Sequence, residues 1–200
     1  YDTDYSSSGI GHWGLMSGGS WGGDGGSPWY PVHMSAWVKV ALGWVDPITI
    51  DEPFITHEFE NVEENPIIFK MDGIGSSNEY FLFENRQKVL YDQNLPHYGL
   101  LIWHIDESQW GNTDDWHRKV DLEQADGFYH LNTNGNSGDP GDPYPGYSNN
   151  NIFAFHTEPS SVFYDEDPSG ISVIDIDAYD GLVTATFRNI PTLSISESDV

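Results

Sequence analysis

The chain has 200 residues, enough for one domain, or one subdomain of a larger unit, with a substantial core. Thirty-two Asp and Glu against seven Lys and Arg give a formal charge of −25, which argues against nucleic acid and anionic membrane as partners. Cysteine is absent, so there is no disulfide framework, and no apolar run is long enough for a signal peptide or a membrane span.

In chain order, residues 1–31 read as loop, rich in glycine, serine and tryptophan without a sustained period. Pro31 opens a predicted helix over 32–42, where Met34, Trp37, Val38 and Ala41 recur at i, i+3, i+4, i+7 and Gly43 is placed to stop it. From Pro47 the pattern becomes that of strands, predicted at 48–50, 54–59, 66–70 and 79–86. Residues 99–105 are nearly all apolar and predict a central strand. Residues 106–150 read as acidic loop interrupted by a short strand at 120–123. A hairpin follows, with strands at 171–178 and 182–188 around a turn at Tyr179-Asp180-Gly181. The class is α+β, mostly β: a loop and one helix (1–46), a β-rich unit (47–190) and the start of a linker or following domain (191–200), which Thr192 to Ile195 begin.

Twenty of the acids are aspartates, many beside glycine, proline or asparagine. Calcium needs six to eight oxygens, and loops wrap to supply them. The candidate ligands are Asp114, Asp115, Asp121, Glu123, Asp126, Asp139 and Asp142, in a segment where Asp139-Pro-Gly-Asp142-Pro is already stiff. Asp121 and Glu123, two apart on a short strand, share a side. A cysteine-free protein that binds calcium gains stability from the ion.

Eight histidines are present, none in a His-Glu-x-x-His motif. His57-Glu58-Phe59-Glu60-Asn61 starts like one but offers asparagine where the second histidine must stand, and it reads as a strand. His104 and Asp106 share a strand face, the pattern of a hydrogen-bonded pair at a strand end. Glu84 and Arg86 also share a face and predict a structural ion pair. Asp175 and Asp177, alternating with Ile174 and Ile176, mark the polar face of a half-buried strand.

In Gly11-His12-Trp13-Gly14-Leu15-Met16-Ser17-Gly18-Gly19-Ser20-Trp21, a methionine lies in a glycine-bounded turn between tryptophans. It resembles the Met-turn of metzincin-type zinc peptidases, the apolar floor beneath the zinc-binding imidazoles. Further motifs follow in order: Tyr1-Asp2-Thr3-Asp4, Ala41-Leu42-Gly43-Trp44, Glu84-Asn85-Arg86-Gln87 and Gly99-Leu100-Leu101-Ile102-Trp103-His104-Ile105-Asp106. Then come Val120-Asp121-Leu122-Glu123-Gln124-Ala125-Asp126-Gly127 and Gly138-Asp139-Pro140-Gly141-Asp142-Pro143-Tyr144-Pro145-Gly146. Together they resemble the immune inhibitor A (thuringilysin-like) secreted metallopeptidases over most of residues 1–188. His12 stands where that family commonly has aspartate.

The resemblance implies that Met16 is the Met-turn residue. It also implies that the zinc ligands and general-base glutamate lie on an upstream helix, whether covalently attached or a separate chain. On that reading the 200 residues are an excerpt or processed product, inactive alone, with calcium bound here, zinc bound upstream, and extracellular protein substrates. The rival reading is a non-catalytic, calcium-stabilised extracellular β-rich module derived from a peptidase.

Overall fold

The computed structural model describes residues 4–75 and 78–189. The readings of Tyr1, Asp2, Thr3 and of residues 191–200 fall outside them. The class is α+β and mostly β, with one short α-helix, α1 (Ala36–Ala41), and eight strands in two sheets among the described residues. The first sheet has the order β1 (Ile48–Thr49), β3 (Phe69–Asp72), β4 (Glu79–Arg86), β5 (Gly99–Asp106), β6 (Val120–Leu122). Its strands are antiparallel except for the β1–β3 pair. The second is antiparallel, in the order β2 (Phe54–Phe59), β8 (Leu182–Asn189), β7 (Ile171–Tyr179).

Every residue of β5 is buried, which accounts for its unbroken apolar run. Leu100 and Ile102 join Phe81, Phe83, Phe59, Val173 and Phe187 in a core shared by both sheets. Leu101, Trp103 and Ile105 point the other way. There they pack with Leu82 and Leu122 against Ile10, Trp13, Val32 and Ala36. The glycine-rich N-terminal segment therefore contributes directly to the second core. It carries two short 3-10 turns, Gly11–Trp13 and Gly18–Trp21, that glycine and serine give no periodic sign of.

The helix is shorter than the 32–42 predicted from periodicity. Residues 32–35 stay out of the helix: the His33 carbonyl, which a helix would offer to Trp37 N, accepts instead from Leu15 N (3.2 Å), while Val32 N donates to Gly19 O (3.0 Å) and His33 N to Asp92 Oδ1 (2.8 Å). The stop is where expected. Gly43 has φ +68°, and Trp44 N donates to Lys39 O while Gly43 N donates to Val40 O, a Schellman closure. Strand β3 begins at Phe69 rather than Pro66, and β7 and β8 each extend one residue past their predicted ends. A bulge between Ile174 and Asp177, with Asp175 at φ +52°, breaks the strict alternation in β7, so that Val173 and Ile176 enter the core and Ile174 does not.

Candidate metal cluster and apolar groove

Met16 lies at the bend between the two 3-10 turns. Ser17 N closes on Gly14 O (3.0 Å), and Leu15 N donates to His33 O (3.2 Å). These bonds fix the turn while leaving the Met16 side chain 56% exposed. It lines a groove of about 420 Å³ with Ile10, Met34, Trp37, Val38, Leu42 and Val120. The flanking tryptophans divide: Trp21 is exposed, whereas Trp13 is fully buried. The Trp13 carbonyl accepts from Arg86 Nη1 (3.2 Å), and its indole Nε1 donates to Asp142 Oδ2 (2.7 Å). Chain spacing gives no sign of that last bond.

The seven acidic candidates separate into three places. Asp114 and Asp115 sit in a surface turn: Asp114 Oδ1 accepts from Trp116 N (3.0 Å), and Asp115 Oδ1 and Asp4 Oδ1 both lie on Ser6 Oγ (3.0 and 2.7 Å). Asp121 and Glu123 share the sheet face that carries His104. Asp121 is paired with Arg118 Nη1 (2.6 Å) and Glu123 with His104 Nδ1 (3.3 Å). Asp126, Asp139 and Asp142 come together in the loops after β6.

This third group includes a residue the sequence reading did not single out. One ligand atom each from Asp126, His130 and Asp139 lies within 4.8 Å of the others, the one such group of three or more among the described residues. His130 Nδ1 is 3.1 Å from Asp139 Oδ2, and Asn136 Nδ2 donates to the same oxygen (2.6 Å). Asp142 adjoins them with only 1% of its surface exposed. Its Oδ2 accepts from Trp13 Nε1 and from Asp139 N (2.9 Å), while its Oδ1 has no hydrogen-bond partner among the described residues. Burial pushes the Asp142 carboxyl up to about 7 against the opposing pull of the Asp139 amide and the indole; the charges of Asp139 and Asp126 push the same way.

His104 and Asp106 are each hydrogen-bonded, but not to one another. His104 lies between Glu79 (3.1 Å) and Glu123, while Asp106 accepts from His117 Nε2 (2.7 Å). Burial alone lowers the His104 pKa. The hydrogen bonds and charges of Glu123 and Glu79 outweigh it and push the ring up to about 9, so it is a cation at neutral pH. Tyr164 stacks on both imidazoles, at 4.3 and 4.2 Å. A cavity of about 400 Å³ opens beside them, rimmed by Trp116, Tyr129 and Glu166.

His57 lies on β2 with its ring against Phe69 (4.5 Å), a packing role. The predicted Glu84–Arg86 pair is present at 3.3 Å as part of a larger buried network. Arg86 also meets Asp92 (2.6 Å) and Glu63 (3.2 Å), and Glu84 meets Lys39 (2.6 Å). Burial pushes Glu63 up to about 8, helped by a hydrogen bond to Asp92. Asp92 is held low by Arg86 despite its own burial, so this carboxyl pair shares a proton.

No protein-family model matches the chain, and no curated protein is significantly similar to it. Among the described residues, no helix is long and apolar enough to cross a membrane.

Proposed function

We propose that this chain is the C-terminal part of the catalytic domain of a secreted zinc-dependent endopeptidase. The observation that carries the reading is the Met16 turn, a backbone held by its own hydrogen bonds that presents an exposed thioether at an apolar groove. Apolar surface of this kind is stabilised by a cover. On this reading the cover is the zinc-binding helix of an upstream segment, with Met16 beneath its imidazoles. That helix supplies the metal ligands and the glutamate that activates the bound water against a peptide carbonyl. This chain supplies the floor and one wall of the cleft. Neither His57 nor His104 supplies a substitute: His57 is packed on Phe69 and His104 is held between carboxylates.

The second part of the reading is a divalent cation bound in the acidic segment. Composition points to calcium, and Asp126, Asp139 and Asp142 are the carboxylates that the fold gathers. The test is made on the protein carrying both the upstream segment and this chain. It is expected to retain one zinc more than the 200 residues alone and to cleave casein in a chelator-sensitive way, with Met16→Asp abolishing that added zinc and the cleavage, and His57→Ala neither. Undiminished, chelator-sensitive proteolysis by the 200 residues alone would overturn the reading.

A further inference from the structure

Calcium is the expectation from composition, but the cluster that the fold assembles contains an imidazole. We infer that Asp126, His130 and Asp139, completed by Asp142, form a binding site for a first-row divalent transition-metal ion. The inference rests on the bound-cation part of the reading above and not on the peptidase part.

The three donors arrive from separate turns of one segment. Asp126 follows β6 and is oriented by Phe128 N (3.0 Å on Oδ1), and Asp139 by Gly141 N (2.7 Å on Oδ1). His130 sits in the turn after Tyr129, whose φ is +52°. Bonds of roughly 2.0–2.2 Å put tetrahedral ligands about 3.3–3.6 Å apart. His130 Nδ1 and Asp139 Oδ2 already stand 3.1 Å apart, and one ligand atom each of Asp126, His130 and Asp139 lies within 4.8 Å of the others, so these three close on an ion with small side-chain adjustments and no backbone rearrangement. His130 and Asp139 are both partly exposed, leaving a route from solvent.

A group of acids alone does not define a metal site; Asp142 is the independent observation. It is buried, beside the cluster, with one oxygen doubly hydrogen-bonded and the other without a partner. A half-satisfied buried carboxylate is costly unless something positive meets it. Trp13 Nε1 and Asp139 N on its Oδ2 are the kind of support that orients a ligating carboxylate. The Asn136 amide now contacts both of these atoms, 3.1 Å from His130 Nδ1 and 2.6 Å from Asp139 Oδ2. A dication displaces this neutral donor.

The donor chemistry selects the ion. Calcium takes oxygen ligands, whereas imidazole suits zinc and its first-row neighbours. Zinc is therefore preferred to calcium at this place.

The experiment uses the full 200-residue chain, stripped with chelator and then titrated calorimetrically with zinc chloride and, separately, calcium chloride. Cobalt serves as a spectroscopic probe of nitrogen ligation. His130→Gln, at a partly exposed position, keeps the fold and separates ligation from folding. Expected are one tight zinc equivalent, a visible cobalt band, and a loss of about 10-fold or more in zinc affinity in His130→Gln and Asp142→Asn, with any calcium binding unaffected by His130→Gln. Zinc affinity unchanged in His130→Gln overturns the inference. Calcium binding without zinc binding overturns it too, yet leaves the calcium reading standing. Binding of neither ion removes both.

Discussion

Trp13 and Asp142 are joined by a hydrogen bond that spans 129 residues of sequence and is shielded from water at both ends. The indole Nε1 has an acceptor it needs, since a buried tryptophan donor is costly unpaired. The carboxylate in turn is fixed beside Asp126 and Asp139. The backbone reinforces the link. His12 N donates to Ser137 O (2.7 Å), and Gly11, at φ +53°, lies so close to Ser137 that no side chain fits. The turn that carries Met16 and the acidic loop are thus two sides of one structure.

Trp13→Phe removes the donor while keeping most of the ring. It is expected to lower stability by about 1–3 kcal/mol, because Asp142 loses a partner in a buried position. Urea unfolding measures this directly. A change below about 0.5 kcal/mol would show that Asp142 is held adequately without the indole.

Removing divalent cations with EDTA is expected to destabilise the chain. A site held at about a hundred times its dissociation constant contributes roughly 2.7 kcal/mol, which corresponds to several degrees in Tm for a protein of this size. Differential scanning calorimetry before and after chelation, with metal analysis of the starting protein, is the check. An identical midpoint in metal-bearing and stripped protein counts against a stabilising ion.

His104 makes stability fall at alkaline pH. Its folded pKa of about 9 lies above the ordinary histidine value of 6.5, so its contribution is complete below about pH 6.5 and is lost as pH rises through 9. The full effect is roughly 3 kcal/mol at most. In His104→Gln, unfolding free energies measured between pH 6 and 10 are expected to show a flatter decline. A slope identical to that of the parent chain would show that other groups govern it.

Two arginine and lysine pairs are predicted to behave very differently. Arg86→Ala leaves Glu84, Asp92 and Glu63 facing one another in the core without their main cation, a loss of about 3–5 kcal/mol. Lys70→Ala breaks a partly exposed pair with Asp72 and a contact of the ammonium with the Tyr80 ring (4.3 Å), and is expected to change stability by about 1 kcal/mol. Circular dichroism melts of both variants decide the contrast.

Met16→Asp is expected to leave the fold intact, within about 0.5 kcal/mol, because the side chain is more than half exposed. In protein that also carries the upstream segment, the same change is expected to abolish retention of the zinc that the segment adds. Zinc content and unfolding of the same preparation separate the two effects. Normal zinc retention would remove Met16 from beneath the metal.

The strands were legible in the sequence because burial follows the period of the chain. The unbroken apolar run from Gly99 reports two-sided burial, and β5 is buried throughout; β4, predicted at 79–86, is buried on both faces from Phe81 on, including the polar Glu84, Asn85 and Arg86, which its composition does not announce. The hairpin at Asp180-Gly181 and the Gly43 stop were readable for the same local reason: each needs a particular φ at one residue. The Glu84–Arg86 pair followed from two residues on one strand face.

What the chain by itself could not determine is what its loops do with their polar groups. The helix lost its first turn because Leu15 N claims the carbonyl of His33 that Trp37 N would otherwise use, a competition settled by a residue outside the helix segment. The acidic residues had no period to sort them. Arg118 claimed Asp121, His104 claimed Glu123, and Asp126, Asp139 and Asp142 were gathered with His130 only by loop packing. Hydrophobic burial is non-directional and is written in spacing. A hydrogen bond or a ligand bond needs a partner at one distance and angle, and for these residues the partners are set by the tertiary fold.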